Sequence, residues 1–333
     1  MSFLTGKSVL VTGGTGSFGK QFIHALLDEH HPKRVVVFSR DELKQFEMAN
    51  MPAFRNREEL RFFIGDVRDA DRLQRAFHGV DVVVHAAAMK QVPACEYNPF
   101  EAVKTNIHGA ENVINAALNK GVTRGLALST DKACNPVNLY GATKLASDKI
   151  FIAGNAYAGA ENTAFSVVRY GNVAGSRGSV IPFFLERRAS GRLPITHPDM
   201  TRFWLTLEQG VRFVIESINR MHGGELFVPK IPSLKVIDLA RAIGPECELD
   251  DIGIRPGEKL HEVMISEDDA RHTVEHDGYY VILPEFGWWK KGHDGGTPCA
   301  EGFRYSSDSN TAWLDATELA SMIDPFVKAH RGV

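Results

Sequence analysis

VLVTGGTGSFGK, residues Val9–Lys20, decides how the rest of the chain is read. A short apolar, β-branched run ends at Thr12, and glycines 13, 16 and 19 follow immediately, opening a segment with helical spacing. Glycines between a strand and a helix allow a tight turn and let backbone N–H groups and a helix N-terminus approach a pyrophosphate. A plain glycine-rich turn has the same letters. The strand before and the helix after favour a dinucleotide site, lined by Gly13, Thr15, Gly16, Ser17, Phe18 and Gly19.

Outward from that turn, apolar runs recur at Ser8–Thr12, Arg34–Ser39, Arg61–Ile64, Asp81–Ala86, Gly125–Ser129 and Ala164–Tyr170. Helical spacing lies between them at Phe22–Leu27, Ala102–Leu118 and Leu139–Ile152. The alternation predicts an α/β protein with a doubly wound parallel sheet, and ligands at the carboxyl ends of its strands. Residues 1–170 are expected to form the dinucleotide-binding domain. Residues 171–333 should be mainly a smaller C-terminal substrate-binding lobe, with part of 200–230 (MTRFWLTLEQGVRFVIESI) returning to the first domain. KKGHDGGTP, near 290–298, is expected to be a loop.

Composition narrows the function classes. The 333 residues carry a net charge of −3 with both signs interspersed, so no basic face for nucleic acid is evident. No apolar run approaches the ~20 residues of a membrane helix, and KSVLVTGG follows Met1 without a signal-like segment. A soluble, cytoplasmic protein is expected. Cys95, Cys134, Cys247 and Cys299 are far apart, which fits a reducing compartment. The thirteen histidines form no ligand-like pair, so no metal is assigned. His30-His31 should mark a helix end, and the pairs Phe183-Phe184 and Trp288-Trp289 are read as core or subunit packing.

At the end of the second strand, Ser39-Arg40 stands where an NAD enzyme usually carries an acid for the ribose. A cation there suits a 2′-phosphate, so NADP is the expected cofactor, with Lys44 as a second charge. Asp41 could still serve a ribose. Asp66, before Val67, either meets the adenine or caps the next helix. Ala86 and Ala88, after the fourth strand, complete the expected lining.

STDKACNPVNLYGATK, Ser129–Lys144, carries the chemistry. Tyr140 and Lys144 lie four apart, one helical turn on one face. Positive charge from a lysine and an oxidised nicotinamide favours the phenolate of Tyr140, a base for a sugar hydroxyl. Asp131 and Lys132 add an acid and an amine where a simple dehydrogenase needs only a hydroxyl such as Thr130.

Together these residues resemble the extended short-chain dehydrogenase/reductases of the nucleotide-sugar branch. Within it the chain is most similar to the inverting UDP-N-acetylglucosamine 4,6-dehydratases of the PseB type. The match runs through TGGTGSFGK, FSRDELK, RFFIGDVRD, HAAAMKQVPACEYNP, STDKACNPVNLYGATK, VVRYGNVAGSRGSVIPFF, MTRFW, HGGELFVPKIPS and GIRPGEKLHEVMI. The resemblance implies oxidation at C4 of the hexose, loss of water across C5 and C6, and return of hydride to C6, as the first step of pseudaminic acid synthesis. Lys132 would be the C5 base and Asp131 the acid for the departing hydroxyl. Relatives that retain configuration read Thr-Asp-Glu here. The resemblance also implies a UDP-sugar partner, contacted by Asn172, Arg255 and Glu258, and a homo-oligomer built from dimers. Lys90 and Arg202 are further substrate candidates, Arg202 alternatively forming a buried salt bridge; Asn106 is expected to tie the sheet together near the site. A UDP-hexose 4-epimerase and a non-catalytic NADP-sensing protein are the competing readings.

Overall fold

The computed structural model describes residues 2–158, 163–176, 178–286 and 295–331. The Trp288-Trp289 pair and part of the 290–298 stretch lie outside them. Six strands form the scaffold: β1 (Ser8–Thr12), β2 (Arg34–Ser39), β3 (Leu60–Ile64), β4 (Val82–His85), β5 (Arg124–Thr130) and β6 (Ala164–Tyr170). They run parallel in the order β3-β2-β1-β4-β5-β6, so the winding reverses between β1 and β4. A crevice opens at such a reversal, beyond the carboxyl ends of the strands. β1, β4 and β6 are buried along their whole length, as expected of strands covered on both faces.

The sheet has ten strands in all. Leu226–Pro229 adds to β6 in parallel, and the helix Leu207–Arg220 before it packs on α1 (Ser17–Ala25). Beyond it, Tyr279–Ile282, Thr273–His276 and Thr297–Pro298 extend the same sheet antiparallel. The sheet begun by β1–β6 therefore takes in chain from far into residues 171–333. The lobe has its own core, built on Ile181, Phe184, Leu193, Trp204, Leu239 and Ile243. Phe184 is buried while Phe183 is part exposed. The helical segment after Ala25 ends at His30, and His31 adopts a left-handed φ of 46°. The four cysteines are free thiols. No helix of the described residues is long and apolar enough to cross a membrane.

Candidate active site

The glycine turn is shaped by contacts that exclude side chains. Gly13 has φ +67°, and a Cβ there would lie 2.9 Å from the backbone nitrogen of Ala87. A Cβ on Gly19 would meet the Cα of Gly14 at 2.5 Å, so α1 can sit this close to the turn only with glycine at position 19. Thr12 Oγ1 accepts hydrogen bonds from the backbone N–H of Ala86 and Ala87 and lies 2.8 Å from His85 Nδ1. Its proton is thus directed at His85, whose Nδ1 accepts. That suits a neutral imidazole, and burial, with the charge of Lys144, pushes His85 down to about 3.

A cleft of about 720 Å³ opens at the strand ends. Gly13, Thr15, Gly16, Ser17, Phe18, Gly19, Ser39, Arg40, Lys44, Asp66, Val67, Ala86 and Ala88 all line it, as do Thr130, Lys132, Tyr140, Lys144, Lys90 and Asn172. The glycine cradle, the cation at Arg40 and the buried, unpartnered oxygens Asn172 Oδ1 and Thr105 Oγ1 fit a polar dinucleotide and its substrate. Asp41 caps the helix Glu42–Asn50 through Lys44 N and pairs with Lys44 Nζ at 2.8 Å. Asp66 accepts from Arg68 N, Nε and Nη2. The cap of the following helix is Asp69, so the capping reading of Asp66 does not hold.

The catalytic stretch folds as a single 3-10 turn, Asp131–Ala133, leading into the helix Leu139–Ala153. Asn138 caps that helix, its Oδ1 accepting from Gly141 N at 2.8 Å. Lys144 is buried and donates to the carbonyl of Leu128 at 2.6 Å, and burial, opposed by Asp148, lowers its pKa. Burial pushes the Tyr140 phenol up to about 12, against the charge of Lys132 and a hydrogen bond with Thr130. One turn beyond Lys144, buried Asp148 accepts from Ser129 Oγ at 2.6 Å and lies 3.6 Å from Arg169. Asn106 sits in a π-type turn, Lys104–His108. It bonds both backbone groups of Met89 and the hydroxyl of Thr143, tying the loop after β4 to the catalytic helix.

Asp131 is fully buried, its Oδ1 3.0 Å from Lys132 Nζ and its Oδ2 without a hydrogen-bond partner. Burial raises its pKa above the usual carboxylate range despite the charge of Lys132. Burial alone would lower Lys132, but Asp131 and Glu262 together outweigh it and hold the ammonium above the ordinary lysine range. Sequence reasoning missed Glu262, although it lies within the quoted GIRPGEKLHEVMI.

Three expected substrate residues lie apart from the cleft lining. Arg202 is buried, and its guanidinium donates to the carbonyls of Thr201, Lys259 and Leu260 and pairs with Glu258 at 3.5 Å. That is the buried salt bridge, and it corrects the substrate-facing reading. Glu258 is also bound by Arg255 at 2.8 Å, which with Arg202 holds its carboxyl low although burial pushes upward. Arg255 itself is largely exposed, at 66%.

Residues 9–284 match the model of a family described as polysaccharide biosynthesis protein. The chain belongs to this family. A Campylobacter jejuni protein named UDP-N-acetylglucosamine 4,6-dehydratase (inverting) is 55% identical over 96% of this chain and 97% of its own. A Rickettsia typhi protein named UDP-glucose 4-epimerase is 42% identical over 83% of this chain and 82% of its own. The X-ray structure of Pen from Bacillus thuringiensis superposes with a TM-score of 0.89 at 37% identity, covering 97% of this chain and 99% of that one. The fold is the Rossmann arrangement of the extended short-chain dehydrogenase/reductases.

Proposed function

We propose that this chain is an NADP-dependent, C5-inverting UDP-N-acetylglucosamine 4,6-dehydratase. It would form UDP-2-acetamido-2,6-dideoxy-β-L-arabino-hex-4-ulose, the first intermediate toward pseudaminic acid. The observation that carries the reading is the pairing of Asp131 and Lys132 at 3.0 Å in the turn that leads to Tyr140 and Lys144. A dehydrogenase or epimerase has no use for that second acid–base pair.

A dinucleotide held by the glycine turn and the cleft around Arg40 would supply, when bound, the oxidant for C4 and the reductant for C6. Tyr140 takes the proton of the C4 hydroxyl, with Lys144 and Thr130 favouring the phenolate. The resulting ketone acidifies the neighbouring C–H bond, and Lys132 removes the C5 proton. Asp131 and Glu262 favour the ammonium form of Lys132, so positive charge entering the cleft would be needed to free Lys132 as a base. Asp131 gives its proton to the C6 hydroxyl, which leaves as water. With hydride returned to C6, a proton delivered by solvent to the opposite face of C5 would give the L-configured product. Asn172 and Lys90 line the cleft and would contact the sugar, while Arg255 and Glu258, apart from that lining, would meet the uridine diphosphate. The homo-oligomer built from dimers rests on the family resemblance; exposed Tyr97 and Phe100, at 88% and 77%, are candidates for its contact surface.

Incubation with UDP-N-acetylglucosamine in D2O, with NMR of the product, tests the reading. Deuterium at C5 of an inverted 4-keto-6-deoxy sugar is expected. An unchanged C6 hydroxymethyl group with an altered C4 centre would favour the 4-epimerase, the reading that the Rickettsia relative's name supports.

A further inference from the structure

Glu262 immediately precedes the short strand Val263–Ile265, remote in sequence from the catalytic turn. It is 2% exposed, and its Oε1 lies 3.3 Å from Lys132 Nζ. Lys132 is therefore held by two carboxylates, Asp131 at 3.0 Å and Glu262 at 3.3 Å. Glu262 Oε2 has no hydrogen-bond partner and lies 3.5 Å from Lys259 Nζ. Lys132, Arg202, Lys259 and Asp131 are the charged groups that face Glu262, while Lys90 and Tyr140 face Lys132 from the rest of the cleft.

A second buried anion beside one ammonium incurs a desolvation cost that ion pairing alone does not reliably offset. Two carboxylates so close do not ionise equally; the one with more cations around it stays charged. Glu262 has Lys132, Lys259 and Arg202, whereas Asp131 has Lys132. We propose that Glu262 is a positioning residue for the dehydration: it is the standing anion that holds Lys132 in the cleft and leaves Asp131 as the carboxyl that can give up a proton. The electrostatics agree. Burial pushes both carboxyls up, but cations hold Glu262 below its usual range, while the charge of Glu262 helps to keep Asp131 above its own.

The catalytic consequence rests on the dehydratase reading, whereas the charge relation does not, and two measurements separate them. In NADP-loaded enzyme without sugar, the infrared band of the protonated Asp131 carboxyl, assigned by its loss in Asp131→Asn, reports that group's titration. Glu262→Gln is expected to move the midpoint to lower pH by about 1 unit, because removing an anion favours ionisation of its neighbour. An unmoved midpoint overturns the proposal whatever reaction the enzyme catalyses. In turnover, Glu262→Gln should lower kcat by about tenfold or more with KM nearly unchanged. The alkaline limb of the kcat profile should move to lower pH, since Asp131 then loses its proton earlier. Loss of rate with the limb in place indicates mere structural damage and also overturns the proposal. Should Glu262→Gln not fold, Glu262→Asp, one methylene farther from Lys132, is titrated instead: a smaller shift in the same direction supports the inference, and none overturns it. A shifted Asp131 midpoint in an enzyme that makes no 4-keto-6-deoxy sugar leaves the charge relation standing and removes the dehydratase reading.

Discussion

Arg40 Nη1 lies 3.8 Å from Asp66 Oδ2, linking the end of β2 to the end of β3 across the cofactor side of the cleft. The tie is loose. Arg40 is 64% exposed, and Asp66 is already engaged by Arg68 at 2.7 Å, so the Arg40 guanidinium can turn toward a ribose 2′-phosphate. Arg40→Ala should therefore weaken NADP by about tenfold or more, the worth of a charge-assisted contact, and change NAD little. Calorimetric titration with each cofactor checks this. Equal losses for the two would remove Arg40 as the selector.

Tyr140→Phe removes one hydroxyl and leaves the ring in place. Turnover should fall by about 10²–10⁴-fold while UDP-sugar affinity is retained, because the lost interaction belongs to the transition state. Since the phenol is pushed up to about 12 by burial, only a minor fraction is ionised near neutrality. The wild-type rate of C4 oxidation should therefore rise with pH, and the residual rate of the variant should not. Near-normal turnover of Tyr140→Phe would hand the role to Thr130 or water.

Lys132→Ala and Asp131→Asn divide the reaction at the ketone. Both variants keep Tyr140 and Lys144, so reduced-cofactor absorbance should appear on mixing with sugar and then persist. Elimination in Lys132→Ala should slow by about 10²–10⁴-fold, with exchange of the C5 proton lost. Asp131→Asn should still exchange C5 but release water slowly. Full dehydratase activity in Lys132→Ala would end the inverting assignment.

Gly141→Ala tests how the turn and the helix are joined. A Cβ there would stand 2.1 Å from the Lys132 carbonyl oxygen and 3.0 Å from Pro136 Cβ. Alanine favours a helix by about 1 kcal/mol over glycine, yet forcing the turn away from the helix should outweigh that gain. Net destabilisation of about 1–3 kcal/mol is expected, with both C4 oxidation and elimination impaired. A variant with wild-type melting and turnover would mean that this contact yields easily.

The first half of the scaffold was legible because its determinants are local. Strand, glycine turn and helix adjoin in Val9–Lys20, and Tyr140 and Lys144 share one helix face. The sheet's antiparallel extension was not, since Thr273–His276 mixes polar and apolar residues in a short strand and its order depends on pairing with distant chain. Glu262 escaped for the same reason. Its letters show a glutamate, but its burial and its approach to Lys132 exist only after the lobe has folded onto the catalytic turn. Arg202 offered two readings, and only the carbonyls around its guanidinium decided between them.

The π-type turn at Lys104–His108 carries one residue more per turn than the helix segments Pro99–Val103 and Gly109–Asn119 on either side. Its vulnerability is therefore to length. Deleting one residue there would let the flanking segments fuse into a regular helix, and one side would rotate by about 100° against the other. Either Asn106 would swing away from Met89 and Thr143, or Val113 and Ala117 would leave the core in which they are buried. Single-residue insertions and deletions in this segment should be tolerated far less well than substitutions on its exposed face.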